Sequence, residues 1–115
     1  IVAALRRSRG GRLLKTLVAL VGMKHRGTEA FVASLPQGEP LTLIREHGNK
    51  YDNFAVQVWT RDQHVGYVKA TQVKPIALAM DRAAAMQAQS RGGGNVWQAK
   101  LAVDGGKWPM VEIDG

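Results

Sequence analysis

The 115-residue chain is long enough for one hydrophobic core but not for two, and its 45% hydrophobic content is that of a folded globular domain. It contains no cysteine, which excludes disulfides, thiol catalysis and cysteine-ligated zinc. No apolar run reaches the roughly 18 residues of a membrane span, and the formal charge of +7 lies wholly within residues 1–26, whose seven basic residues meet no acidic one.

Such a single-signed segment suits a polyanion, which it attracts at a distance and binds with release of counterions. A solvated basic tail and an anionic membrane surface are the competing readings. "RRSRGGR" followed by "RLLKTLVALVG" superficially imitates a signal peptide, but Lys15 interrupts the apolar run and more basic sequence follows it. An intracellular protein, cytoplasmic or nucleoid-associated, is expected. The chain opens on Ile1 rather than Met, which leaves room for a larger parent protein carrying helicase or nuclease domains.

Residues 1–12 read as a basic extension, with a turn or two of helix in "IVAALRRS" that is too short to be stable alone. A domain over 13–115 follows. Leu13 to Met23 reads as a first strand with Gly22 near its end, and "SLPQGEP" as a turn in which Gly38 takes the reversed conformation. Leu41 to Glu46 alternates as a second strand, with Leu41, Leu43 and Arg45 on one face. Ala55 to Thr60 is a third, setting Gln57 and Trp59 opposite Val56 and Val58. "TRDQH" then reverses the chain into Val65 to Val68, a hairpin.

A helix follows, starting at a Thr71 cap or with Pro75 in its first turn, and Val73, Ala77, Met80 and Ala84 give it one apolar face. "SRGGGN" stops it. Val96 to Val103 and Pro109 to Ile113 then flank "DGGKW", a second hairpin with an Asp-Gly turn. This order predicts a mainly β fold with one principal helix: a small antiparallel barrel of five or six strands, partly open, with the helix plugging one end.

Little of this sequence could support catalysis. His25 and His47 have no clear third metal ligand, and Glu46 with Asp52 is a nonspecific pair for a metal-dependent nuclease. No phosphate-binding G-x-x-x-x-G-K-[ST] loop is present, and no serine lies in a nucleophile elbow. Neither a cofactor nor a metal is expected.

The unusual segment is the bend between the second and third strands, which crowds His47, Asn49, Lys50, Tyr51, Asp52 and Asn53 together. Tyr51 can pack down as a plug or stand out as a platform for a base. Asp52 can accept a hydrogen bond from a hydroxyl or close an Asx turn, and Asn49 can frame a base edge or fasten the loop to itself. Lys24, His25 and Arg26 follow the first strand, while Tyr67 and Lys69 end "VGYVK"; a curled sheet can bring both places to the rim of the bend, supplying cations for phosphate and rings for stacking. Gly66 fits close backbone packing. A protein-interaction domain using a sheet edge or groove is the alternative, and it expects Tyr51 buried.

"VGMKHRG", "GEPLTLIREHGNKYDNFAVQVW" and "HVGYVKATQVKPIALAMD" together resemble the HIRAN domain, found alone in bacteria and attached to fork-remodelling helicases. The resemblance implies an OB-like barrel that grips the unpaired 3' end of single-stranded DNA in repair or replication, without catalysis of its own. It further implies that Asp52 accepts the terminal 3'-hydroxyl, Tyr51 stacks on the end nucleotide and Asn49 frames the pocket. Lys24 stands where the helicase-attached form has arginine, His25 where it has tyrosine, and Tyr67 where it has histidine. Phe54 replaces a polar residue and is expected to pack inward.

Overall fold

The alternation along the chain resolves into strands whose inward residues build one core. The computed structural model describes residues 16–87, 96–104 and 108–113. Its strands are β1 (Thr16–Val21), β2 (Pro40–Arg45), β3 (Val56–Thr60), β4 (Gln63–Val68), β5 (Val96–Asp104) and β6 (Trp108–Ile113). They pair antiparallel in the order β1-β4-β3-β2-β5-β6 and close into a barrel. The sheet is therefore closed rather than partly open, with six strands.

Closure depends on β1 serving two neighbours. Its first half, from Thr16 to Ala19, pairs with β6, and its end pairs with β4 through Leu20↔Val68 and Val21↔Tyr67. Along β2, Leu41, Leu43 and Arg45 point inward, as expected; along β3, Val56 and Val58 are buried while Gln57 and Trp59 face out. Between β3 and β4 the register shifts from Val58↔Gly66 to Trp59↔His64. That bulge leaves Val65 in the core and turns both His64 and Tyr67 outward.

Among the described residues three helices join the strands: α1 (Met23–Arg26), α2 (Glu29–Ala33) and α3 (Ala70–Gln87). The principal helix adds Val73, Ile76, Ala77 and Met80 to the strand core, a face at i, i+3, i+4 and i+7. It starts earlier than either sequence signal suggests, and Pro75 lies inside it. The cause is tertiary: where β1 changes partner, Lys69 N donates to Ala19 O (3.0 Å), and Ala19 N donates to Gln72 Oε1 (2.8 Å).

Met23 begins α1 rather than ending β1, and β4 starts at Gln63 rather than Val65. Gly38 takes φ +86°, as its turn requires. The 1–12 extension, the expected helix stop at 90–95 and the turn at 105–107 lie outside the described residues.

Candidate nucleic-acid interface

The bend from Glu46 to Ala55 is fastened at its base, along its length and at its side. At the base, Glu46 N donates to Ala55 O (2.9 Å). Arg45, inward on β2 with a side chain only 4% exposed, directs its guanidinium beneath the bend. Nε and Nη2 donate to the two oxygens of Asp81 on α3 (3.0 and 3.1 Å), Nη2 donates to Asn53 O (3.0 Å), and Nη1 donates to Ala55 O (3.2 Å) and Glu46 O (3.4 Å). All five N–H groups of an arginine are thereby used. His47, exposed, sets its Nε2 3.4 Å from the same Asp81.

Along the bend, Asn49 Oδ1 accepts from Tyr51 N (2.8 Å) and Asp52 N (3.0 Å), and Asp52 Oδ1 accepts from Phe54 N (2.8 Å). These are Asx-type closures, so Asn49 and Asp52 have the structural roles that their residue types permit. The Tyr51 side chain is not used in this way: it is 92% exposed, so the ring stands out from the bend and does not pack down as a plug. Phe54 packs against the core, as expected, with Lys74 Nζ 5.3 Å from its ring centroid.

At the side, Glu46 is a hub. Its carboxylate accepts from Asn49 Nδ2 (3.2 Å), Gln57 Nε2 (2.9 Å) and Tyr67 Oη (2.7 Å), and Gln57 Oε1 accepts from Trp59 Nε1 (2.7 Å). The hydrogen bond from Gln57, then that from Tyr67, holds Glu46 below the usual carboxylate range. Burial, then the Glu46 carboxylate, raises the Tyr67 hydroxyl above its ordinary value. Both shifts keep an ionised acceptor against a neutral donor.

The structure thus brings Tyr67 and Asn49 together through Glu46. It also sets Tyr67 beside α1, because a Cβ built on Gly22 would lie 3.7 Å from Tyr67 Cδ1. Lys24 and His25 are exposed on α1. Lys69, also exposed, lies at the head of α3, where it lines a recess of about 150 Å³ with Ala19, Val21 and Met110. Among the described residues no hydrogen bond or ion pair links the side chains of Lys24, His25 or Lys69 to the bend.

Sequence reasoning passed over Glu46 as a hub and Arg45 as an anchor. The inward position of Arg45 on an otherwise apolar strand face was the available signal. Glu46 is occupied by three donors, and among the described residues no group of three His, Asp or Glu side chains could hold a metal ion. Tyr51 is exposed where the protein-interaction reading expects it buried, and the strands close into a barrel. No helix among the described residues is long and apolar enough to cross a membrane.

On the outer face of β3 and β4, Trp59 stacks on His64 at a centroid distance of 5.3 Å, and Tyr67 meets His64 edge-on at 5.0 Å. Burial, then the charge of Arg26, holds His64 below its ordinary value. The folded chain therefore takes up this proton less readily than the unfolded chain. The resulting stability is complete above the unfolded value of about 6.5 and is lost as pH falls through the lowered folded value. Between about pH 7.5 and about pH 5.5 the melting temperature should fall, and His64→Gln should reduce the fall. An identical fall in that variant would show that His64 is not its source.

The comparisons with known proteins bear on the family and the fold. A search of curated proteins returns no match. Among solved structures, a crystal structure of a protein from Lactobacillus plantarum, a structural-genomics target, superposes with a TM-score of 0.57 at 26% identity, covering 97% of this chain and 95% of that one. The family model described as the HIRAN domain matches residues 14–89, more than half of the sequence, and the chain belongs to the HIRAN domain family.

Proposed function

We propose that the domain binds single-stranded DNA through the Asn49–Asp52 bend and captures its 3'-hydroxyl end. The coarser part of this reading follows from family and fold: HIRAN domains are non-catalytic modules of DNA binding, and an OB-like barrel suits a nucleic-acid strand. Hydrolase or helicase activity would belong to other domains.

The observation that carries the finer part is Tyr51, 92% exposed on a bend fastened by Arg45, Asn49 and Asp52. Leaving a tyrosine ring in water contributes nothing to the core, whereas a ring held out on a rigid bend is a preorganised stacking surface. In this reading Tyr51 stacks on the end nucleotide, and Asp52 turns the carboxylate oxygen not used by Phe54 N toward the terminal hydroxyl. Asn49 keeps the two in register. Lys24, His25 and Lys69 supply the basic rim for phosphates, and Tyr67 closes the wall between α1 and the bend.

Matched strands ending in a 3'-hydroxyl or a 3'-phosphate test the assignment. The phosphate should bind about tenfold more weakly or worse, since a charge-assisted hydrogen bond is exchanged for repulsion between anions. Tyr51→Ala should weaken both strands by about 1 to 3 kcal/mol whatever their base sequence. Equal affinities for the two ends would remove end capture, and an unaltered Kd in Tyr51→Ala would remove the stacking platform.

A further inference from the structure

Where α1 crosses the flank of β4, three consecutive carbonyls receive side-chain donors. β1 pairs with β4 only through Val68 and Tyr67. Beyond them, His64 O accepts from Arg26 Nε (2.8 Å), Val65 O accepts from Thr28 Oγ1 (2.6 Å), and Gly66 O lies 3.0 Å from the His64 ring Nε2. The bulge and the end of β1 leave these groups to side chains, so a structural reason exists for Arg26 to lie here.

That reason uses one nitrogen of Arg26. Its two terminal nitrogens have no partner among the described residues, and no carboxylate there pairs with it. Arg45 and Arg61 differ, since each spends its guanidinium on a carboxylate, Asp81 and Glu39. Arg26 is exposed, is oriented by a backbone bond, and sits close enough to the outward rings for its charge to influence both His64 and Tyr67. Beside it lies the Trp59–His64 stack, whose two rings are half-buried and whose indole is fixed by Gln57. An oriented guanidinium with no carboxylate partner among the described residues, next to a preorganised ring pair, is the combination that a nucleotide requires, a cation for its phosphate and a flat surface for its base.

We propose that Arg26, Trp59 and His64 form a second nucleotide subsite on the outer face of β3 and β4. Arg26 takes an internucleotide phosphate and the Trp59–His64 pair stacks a base, so that a strand held at the Asn49–Asp52 bend continues past Tyr67 onto this face. The inference rests on the reading of the bend as a single-strand site. The hydrogen-bonded chain from Asn49 through Glu46 to Tyr67, and the edge contact from Tyr67 to His64, make the two places one continuous surface.

The test measures binding of oligothymidylates of increasing length to the intact chain across a range of salt concentrations. Arg26→Gln should weaken binding of the longer strands and lower the slope of log K against log salt by about 0.7, the single-strand value for one phosphate contact. Trp59→Leu should weaken the longer strands by about fivefold to a hundredfold, the fold-change equivalent of losing one stacked base, and leave the salt slope unchanged. Trp59→Phe, which retains a ring, should recover much of that loss and guards against a folding defect. Each variant's melting curve separates a change in fold from a change in binding.

If Tyr51→Ala weakens binding while Arg26→Gln keeps the wild-type salt slope and Trp59→Leu the wild-type affinity, the second subsite is refuted and the bend survives. If Arg26→Gln and Trp59→Leu act as stated while Tyr51→Ala does not, the subsite stands and the bend assignment fails. Binding of no strand of any length by the wild-type chain overturns both.

Discussion

Replacing Arg45 with alanine is expected to destabilise the domain by about 3 kcal/mol and to weaken strand binding further than the stability loss alone would. The guanidinium makes five hydrogen bonds, two to Asp81 and three to the carbonyls of Glu46, Asn53 and Ala55. Removing one member of a buried pair costs about 3 to 5 kcal/mol. The lower figure applies because the Asp81 side chain is 32% exposed, so water can solvate the carboxylate left behind.

The same geometry predicts a double-variant result. Replacing a buried ion pair by two apolar residues is often neutral. Arg45→Met with Asp81→Leu should nevertheless remain destabilised, because the three bend carbonyls still lack donors. Urea unfolding of the wild type, both single variants and the double variant measures this directly. Full recovery in the double variant would show that the carbonyl bonds contribute nothing and that the bend is held by other contacts.

Gly66→Ala is expected to cost about as much, by a different route. The backbone of Gly66 has no special φ; its difficulty is space. A Cβ there would collide with the Val21 carbonyl oxygen and lie 3.1 Å from Leu20 Cδ1. A backbone atom cannot rotate aside as a side-chain end can, so β1 must move away from β4, and these strands share only the Leu20↔Val68 and Val21↔Tyr67 pairs. Overpacking of this kind costs typically 1 to 3 kcal/mol, and here the upper end applies, about 3 kcal/mol. Amide hydrogen exchange should increase first along β1 and β4. Gly48→Ala is the control: φ is +80° there and nothing lies within 4 Å, so it carries only the local cost of about 1 kcal/mol for a side chain in that conformation. Equal stability losses at the two positions would contradict the steric account.

Much of the barrel was legible along the chain, and the parts that were not share a cause. Alternation placed Leu41, Leu43 and Arg45 inward on β2 and Gln57 and Trp59 outward on β3, because side chains on a strand must alternate between its faces. Helical spacing identified the buried face of α3. The four-residue α1 and five-residue α2 went unseen, since helices of that length are not stable by themselves. They persist here because Arg26 and Thr28 bond to β4 carbonyls 38 and 37 residues further along the chain.

The candidate site divides in the same way. Its residue types were readable: an aromatic, two Asx-turn formers and basic neighbours crowded into one bend, with Asn49 and Asp52 able to close it locally. Whether Tyr51 pointed into the core or into water was not readable, nor was the convergence of Glu46, Gln57 and Tyr67. Local pattern was enough for the strands, the apolar helix face and the place of the polar bend, all of which depend on neighbours within a few residues. The closure of the barrel, the Arg45–Asp81 anchor, the exposure of Tyr51 and the position of Arg26 beside the rings emerge with the folded chain, because each depends on contacts between distant segments that no local pattern encodes.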